Sequence, residues 1–295
     1  MVQRIFVPGS EWVYLKIYTG QKTVETLLAR DIPVLIRKMK KNDWIKKWFF
    51  IRYGDPDFHL RIRFLVQEEQ FTGPILSLFY KQLNYYVKHN LIWKIQLDTY
   101  KREFERYGEN LIEEAESFFH RDSECVLLLI KGLSISRNEN YRWMIALKMI
   151  DSLLSDFSFD LNSKQRLMEL LCNSFKTEFG FNRYNSKQFN VKFRANKQIV
   201  ESVLNNNFSD NSFIKLYSPI QKRSKELKLP VDSFRLKMKK KRGNLFLENL
   251  FFSYIHMMLN RLFVSHNREH ELILYDFLKR YYTSEVVKNK YQLLH

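Results

Sequence analysis

The sequence predicts an α+β fold in which a strand-rich front, residues 1–108, leads into a larger and mainly helical region, residues 109–295. Three observations predict it. The stretch Trp48–Phe64, WFFIRYGDPDFHLRIRF, reads as strand, tight turn and strand. Strand-like runs recur at Glu11–Gly20 and Leu91–Tyr100, with helix-like spacing between the runs. Beyond residue 108, apolar residues return at three- and four-residue intervals almost to the end of the chain.

In Glu11–Gly20, Trp12, Tyr14, Lys16 and Tyr18 alternate with Val13, Leu15 and Ile17, and Gly20 ends the strand. Thr23–Lys41 has helical spacing, with Pro33 expected to kink or divide it. Trp48–Ile51 is too short for a helix and rich in β formers. Gly54, Asp55, Pro56 and Asp57 are turn residues, and Pro56 pushes Asp55 toward extended geometry. In the second strand of the pair, Phe58, Leu60, Ile62 and Phe64 fall on one face and His59, Arg61 and Arg63 on the other. Thr72–Asn90 is the second helix and Leu91–Tyr100 the fourth strand. The order β-α-β-β-α-β is the ferredoxin-like pattern, an antiparallel sheet with helices on one face. The other face then carries His59, Arg61 and Arg63.

In Lys101–Gly108, a helical turn sets Glu103 and Arg106 on one side. Glu109–His120 reads as an acidic amphipathic helix. Ser123–Leu133, Tyr141–Leu154 and Ser163–Phe179 follow, the last capped by Gly180. Asn182–Phe213 is polar, with a helix from Ala195 to Leu204. Lys215–Lys241 holds Pro219 and Pro230 and is expected to be partly loop. Asn244–Phe263 is the most apolar helix, and Arg268–Tyr282 closes the chain. No repeat or flexible linker separates the parts, so the chain reads as one domain.

Apolar content of 45% and aromatic content of 16% argue for a globular protein and against disorder. No apolar run reaches the roughly 20 residues that span a bilayer, and MVQRIFVPGSEW lacks the apolar core of a signal peptide. Cys125 and Cys172 make neither a CxxC motif nor a disulfide framework, which points to a reducing cytoplasm. The net charge of +17 fits nucleic acid, an acidic protein or an anionic small molecule. Zinc-finger, RNP and Walker A patterns are absent. The basic residues cluster in Lys222–Arg242, where a solvated surface is the plain expectation.

The chemistry concentrates in two places. Arg61 and Arg63 present planar forks of donors suited to carboxylate or phosphate. His256 lies inside the apolar helix, one turn before Asn260 and on its face. It reads either as a hydrogen-bonded core residue or as a general acid or base. Only His266 and His270 have a four-residue spacing, without an HExxH motif, so no metal site is expected. No GxSxG or nucleophilic cysteine motif occurs.

Four stretches, SEWVYLKIY, WFFIRYGDPDFHLRIRF, QLDTYKREFERYG and SYIHMMLNRLF, together resemble the lantibiotic dehydratase C-terminal family, also called thiopeptide-type bacteriocin biosynthesis. The likeness runs in order over nearly the whole chain. It implies elimination of glutamate from glutamylated Ser or Thr of a precursor peptide, giving dehydroalanine or dehydrobutyrine, with no cofactor. By the resemblance, Arg61 or Arg63, Glu103, Arg106 and His256 match the elimination residues. The roles expected are acid/base for His256, carboxylate or enolate binding for the arginines, and orientation for Glu103. His59, Tyr100, Asn260 and Arg261 are the expected substrate contacts. The partners implied are the precursor peptide, a separate glutamylation subunit that uses glutamyl-tRNA, and a second copy in a homodimer. The basic run is expected to receive an acidic leader peptide or that subunit. Two alternatives are a stand-alone pyridine synthase that forms its ring by a formal cycloaddition, and a peptide-binding subunit without chemistry.

Overall fold

The computed structural model describes residues 2–238 and 244–292. Mainly helical, it carries two small antiparallel sheets near the front of the chain. It divides into two compact units. The first holds residues up to Ser136 together with Lys225–Ser265; the second holds Arg137–Ser224 and the chain from His266 on. The sheets lie in the first unit, and the long helical region is shared between both. The strand-rich front therefore does not stand apart from all that follows residue 108.

Strands β1 (Ile5–Phe6), β2 (Trp12–Thr19), β3 (Ile45–Tyr53), β4 (His59–Val66), β5 (Ile92–Leu97) and β6 (Tyr100–Lys101) form the sheets. Four of them make one sheet in the order β3-β4-β2-β5, with every neighbouring pair antiparallel. β1 pairs with β6 separately. The run expected as one strand to Tyr100 thus stops at Leu97, and Tyr100 belongs to the second sheet.

Helices α1 (Gln21–Thr26), α2 (Ile32–Lys41) and α3 (Thr72–Lys88) connect the strands. The helix expected to be broken at Pro33 is divided by a π-helical stretch, Leu27–Asp31, and Pro33 sits in the first turn of α2. The helix runs on from the π-helical turn, where the Ile32 N–H reaches Leu27 O five residues back, and the widened turn accommodates a residue with no N–H to give. Phe64 meets Phe79 of α3, edge to face, so the apolar face of β4 is the one these helices cover.

After α4 (Phe104–Tyr107), a single helix, α5 (Ile112–Ser136), replaces the two expected from Glu109 to Leu133. Its polar residues are not a break: Ser123 Oγ accepts the Phe50 N–H at 3.2 Å, and His120 Nδ1 lies 3.0 Å from the Trp48 carbonyl oxygen. They cover the edge of β3. Further on, Asn260 accepts the Arg52 N–H at 2.9 Å and donates to its carbonyl at 2.9 Å, in place of a neighbouring strand. An exposed strand edge invites unwanted pairing, and here side chains close it.

In the second unit lie α6 (Asn140–Asp156), α7 (Leu161–Glu178), α8 (Arg183–Leu204) and α11 (Asn267–Gln292). Gly180, at φ +59°, ends α7: its N–H reaches Thr177 O and that of Phe181 reaches Lys176 O. α8 starts twelve residues before the expected Ala195, because Asn182 caps it through the N–H groups of Tyr184 and Asn185. α9 (Asn211–Met238) is continuous through Pro219 and Pro230, where partial loop was expected. Phe213, Leu216, Ile220, Leu227, Val231 and Phe234 are all buried along it, and that stripe outweighs two prolines. The first unit is completed by α10 (Asn244–Leu262). Residues 239–243 of the basic run lie outside the described residues. Within α9, Arg223 is buried and donates to Met149 O, while Lys237 pairs with Glu114 at 2.7 Å.

Candidate active site

Strand register builds the floor of the site. Antiparallel pairing sets three rows across β3, β4 and β2: Tyr53, His59 and Tyr18; Ile51, Arg61 and Lys16; Phe49, Arg63 and Tyr14. Directly opposed side chains share a face, so two arginines and a histidine stand among aromatic neighbours. Tyr100, Lys101, Glu103, Arg106 and Tyr107, around β6 and α4, and His256, Met257, Asn260 and Arg261 of α10 complete a cleft of about 420 Å³. That volume falls in the range of small-molecule sites. All these residues belong to the first unit.

The two arginines are held differently. Arg61 donates from Nε to His59 Nε2 at 2.9 Å, and its guanidinium carbon lies 3.4 Å over the Tyr53 ring. Arg63 is 9% exposed and caged by Tyr14, Tyr100 and Phe49, at 4.1, 5.0 and 5.4 Å from the ring centres. Its buried Nε has no hydrogen-bond partner. Among the described residues, no carboxylate lies within ion-pair distance of either guanidinium. Aromatic faces offset part of the cost of desolvating a cation, and an anion is its natural counterpart.

The other arginines around the cleft already have acids. Arg52 pairs with Glu25 at 2.7 Å. Arg106 meets Glu103 at 3.3 Å, both side chains half-exposed at the rim. Glu103 occupies the N-cap of α4, and its carbonyl accepts the N–H groups of Arg106 and Tyr107. Burial of Arg106 opposes its charge, but Glu103 and Tyr107 outweigh that and hold it above the usual guanidinium value. Tyr107 is pushed up to about 12, by burial first and by the Glu103 charge second. It stays a neutral phenol at ordinary pH.

The expected site residues divide in the structure. Arg61, Arg63, Glu103, Arg106, His256, Tyr100, Asn260 and Arg261 all line the cleft. His59 lies beneath it: it is fully buried, stacked on Tyr18 at 4.5 Å, with Nδ1 2.7 Å from Asp57 O. His256, in α10, has Phe252 as a ring neighbour at 6.1 Å. Three of the expected substrate contacts also have structural partners. Tyr100 donates its hydroxyl to Glu116 at 2.9 Å, and burial raises it well above the usual phenol. Glu116 in turn takes a two-pronged contact from Arg102 at 2.7 and 2.7 Å. Asn260 clasps the β3 backbone. Arg261 donates to Phe50 O at 2.8 Å and pairs with Asp122 at 3.1 Å, with both side chains wholly buried.

Sequence reasoning did not single out Tyr53, Tyr107, Tyr14 or Phe49. The signal for three of them was present: once the Trp48–Phe64 hairpin is drawn, Tyr53 falls opposite His59 and Phe49 opposite Arg63, and Tyr107 adjoins Arg106. Asp122 and Glu116 carried no such signal, because acidic residues of an amphipathic helix read as solvated. Among the described residues, no group of three or more His, Cys, Asp or Glu side chains is arranged to hold a metal ion. No helix among them is long and apolar enough to cross a membrane.

A small antiparallel sheet and the helices of the first unit thus form a cationic, aromatic-lined cleft in an α+β fold. The chain belongs to the lantibiotic biosynthesis dehydratase C-terminal family, whose model matches residues 12–282. It is 27% identical over 289 residues to the nisin biosynthesis protein NisB of Lactococcus lactis subsp. lactis, covering 95% of this chain and 26% of that protein. With the subtilin biosynthesis protein SpaB of Bacillus subtilis it shares 29% identity over 187 residues, 60% of this chain and 17% of that one. The chain thus spans about a quarter or less of these relatives. Its fold is similar to the tRNA dependent lantibiotic dehydratase MibB from Microbispora sp. 107891, with a TM-score of 0.77 at 19% identity, over 97% of this chain and 29% of that chain. The pyridine synthase TbtD from thiomuracin biosynthesis shares the fold at a TM-score of 0.64 and 10% identity, over 94% of this chain and 99% of that chain.

Proposed function

We propose that this chain eliminates glutamate from glutamylated Ser or Thr residues of a precursor peptide. The observation that carries the reading is a cleft with two guanidiniums, Arg61 and Arg63, that have no carboxylate within ion-pair distance among the described residues. A base takes the Cα proton, the electron pair forms the Cα=Cβ bond, and the Cβ–O bond breaks to release glutamate as a carboxylate. His256 acts as the acid/base. Arg61, Arg63 and Arg106 hold the developing enolate and the departing carboxylate, and Glu103 orients Arg106. In the ferredoxin-like reading of the four-stranded sheet, the working face is the one that presents Arg61 and Arg63 to the cleft, with His59 buried beneath.

In this reading a glutamylation partner that uses glutamyl-tRNA supplies the ester. The protein works in the cytoplasm, as a homodimer. The alternative, pyridine synthesis, draws support from the likeness to TbtD, which spans nearly the whole of that shorter chain. One experiment separates them. The protein is incubated with a peptide carrying a glutamyl ester on Ser, and the products are weighed. Loss of glutamate with formation of dehydroalanine is expected. An intact ester, together with ring formation from a peptide that already bears dehydroalanines, overturns elimination.

A further inference from the structure

We propose that His59 is a positioning residue that holds Arg61 aimed into the cleft, and that it does not touch the substrate. The inference rests on the elimination reading for its activity test, but its geometry stands without it.

His59 is fully buried and sits between two tyrosines, Tyr18 and Tyr53, each directly across from it in the neighbouring strand. Ring centres are 4.5 and 5.5 Å apart. Its two nitrogens are both engaged. Nδ1 lies 2.7 Å from the Asp57 carbonyl, which only accepts, so Nδ1 carries the proton. Nε2, 2.9 Å from Arg61 Nε, must then be the acceptor, since an arginine only donates. The two contacts define one neutral tautomer. Burial, the largest influence on His59, favours that neutral form, as do the charges of Arg61 and Lys16; the Asp57 contact opposes them in part.

His59 and Arg61 are two apart on one strand, so the Arg61 chain leans back along the strand to make this contact. That lean lays its guanidinium on Tyr53, 3.4 Å from the ring centre. Nε is thereby consumed, and the two terminal nitrogens are left as a fork for an incoming carboxylate. Arg63 has no such anchor: its Nε is unpartnered and its cage is purely aromatic. Arg61 is therefore the aimed guanidinium of the pair.

The test is a double-mutant cycle read by glutamate release. His59→Phe keeps the ring between the tyrosines and removes the acceptor. It is expected to lower kcat/KM about tenfold or more, the worth of a hydrogen bond to a charged group, and His59→Gln, which retains an acceptor oxygen, to restore part of it. In an Arg61→Lys background, His59→Phe should add less than about a twofold loss, whereas in an Arg63→Lys background it should cost its full amount. An equal loss in the Arg61→Lys background overturns the proposal. A second readout needs no activity: in protein labelled with ¹⁵N at arginine and histidine, the Arg61 Nε–H signal should be protected from exchange, and His59 should show the Nδ1–H tautomer. His59→Phe should abolish that protection, and an unchanged Arg61 signal sinks the clamp. If the wild-type protein releases no glutamate, elimination fails as a function, and the spectra alone decide on His59.

Discussion

Two sets of buried or half-buried charges in this protein are built by opposite rules. In the second unit, charge is neutralised. Asp151 takes Lys164 at 2.6 Å, Lys148 at 3.3 Å and the Tyr282 hydroxyl at 3.0 Å; Asp276 takes Lys176 at 2.7 Å and Arg280 at 2.5 Å. In the first unit, Arg61 and Arg63 face aromatic rings instead of acids. In the elimination reading, the difference separates scaffold from site. Satisfied ion pairs fix helices against one another, whereas a guanidinium left without its acid holds a binding capacity in reserve. Inside the first unit, Arg261 follows the scaffold rule and Arg63 the site rule, although both line one cleft.

The sharpest way to break this comparison is at the scaffold end. Asp122→Ala strands the Arg261 guanidinium in a dry core and should cost about 3–5 kcal/mol of unfolding free energy, measured by urea denaturation. A cost below about 1 kcal/mol would mean that the pair is not structural. Next in size, His256→Asn should slow elimination by about 10²–10⁴, the span attributed to one general acid or base, with little change in thermal midpoint. An unchanged rate removes His256 from the reaction.

A third prediction concerns acid. Burial of His120 against β3 pushes its folded-state value down to about 4, below the 6.5 of a free imidazole. The unfolded chain then binds the proton more readily. His120 contributes fully above pH 6.5, and its contribution is lost as pH falls from 6.5 toward 4, by up to ~3 kcal/mol. His120→Gln should flatten that stretch of the pH–stability curve, and an identical curve would refute the assignment. At the small end, the Glu103–Arg106 contact is half-exposed, so Glu103→Gln should change stability by less than about 1 kcal/mol. Any large effect of that variant should appear in the rate of elimination alone.

Much of this was legible in the amino-acid sequence, for reasons that can be named. A two-residue period in His59–Phe64 put both arginines on one face, because strand geometry leaves no alternative. The four strand-like runs appear in order, and three quoted motifs meet around one cleft. What could not be read is what sits behind the functional residues. Nothing in the pattern says that His59 turns toward Arg61, since that depends on Tyr18 and Tyr53 from other strands. Asn260 and Arg261 are expected as substrate contacts from the resemblance; that they also hold the β3 backbone and Asp122 is not legible in the sequence. The prolines of α9 misled for a related reason: local propensity counts the lost hydrogen bond but not the buried stripe that overrides it.

In the elimination reading the protein keeps Arg61 and Arg63, with no carboxylate within ion-pair distance among the described residues, in the cleft for an anion, at a cost in stability. The direct measurement is single-turnover glutamate release by Arg63→Met beside its thermal midpoint. Methionine keeps the apolar stem within the aromatic cage and removes the charge. The account predicts a rate at least about 100-fold lower with a midpoint equal to or above that of the wild type. A rate close to the wild type, or a protein that loses stability in step with its activity, contradicts it.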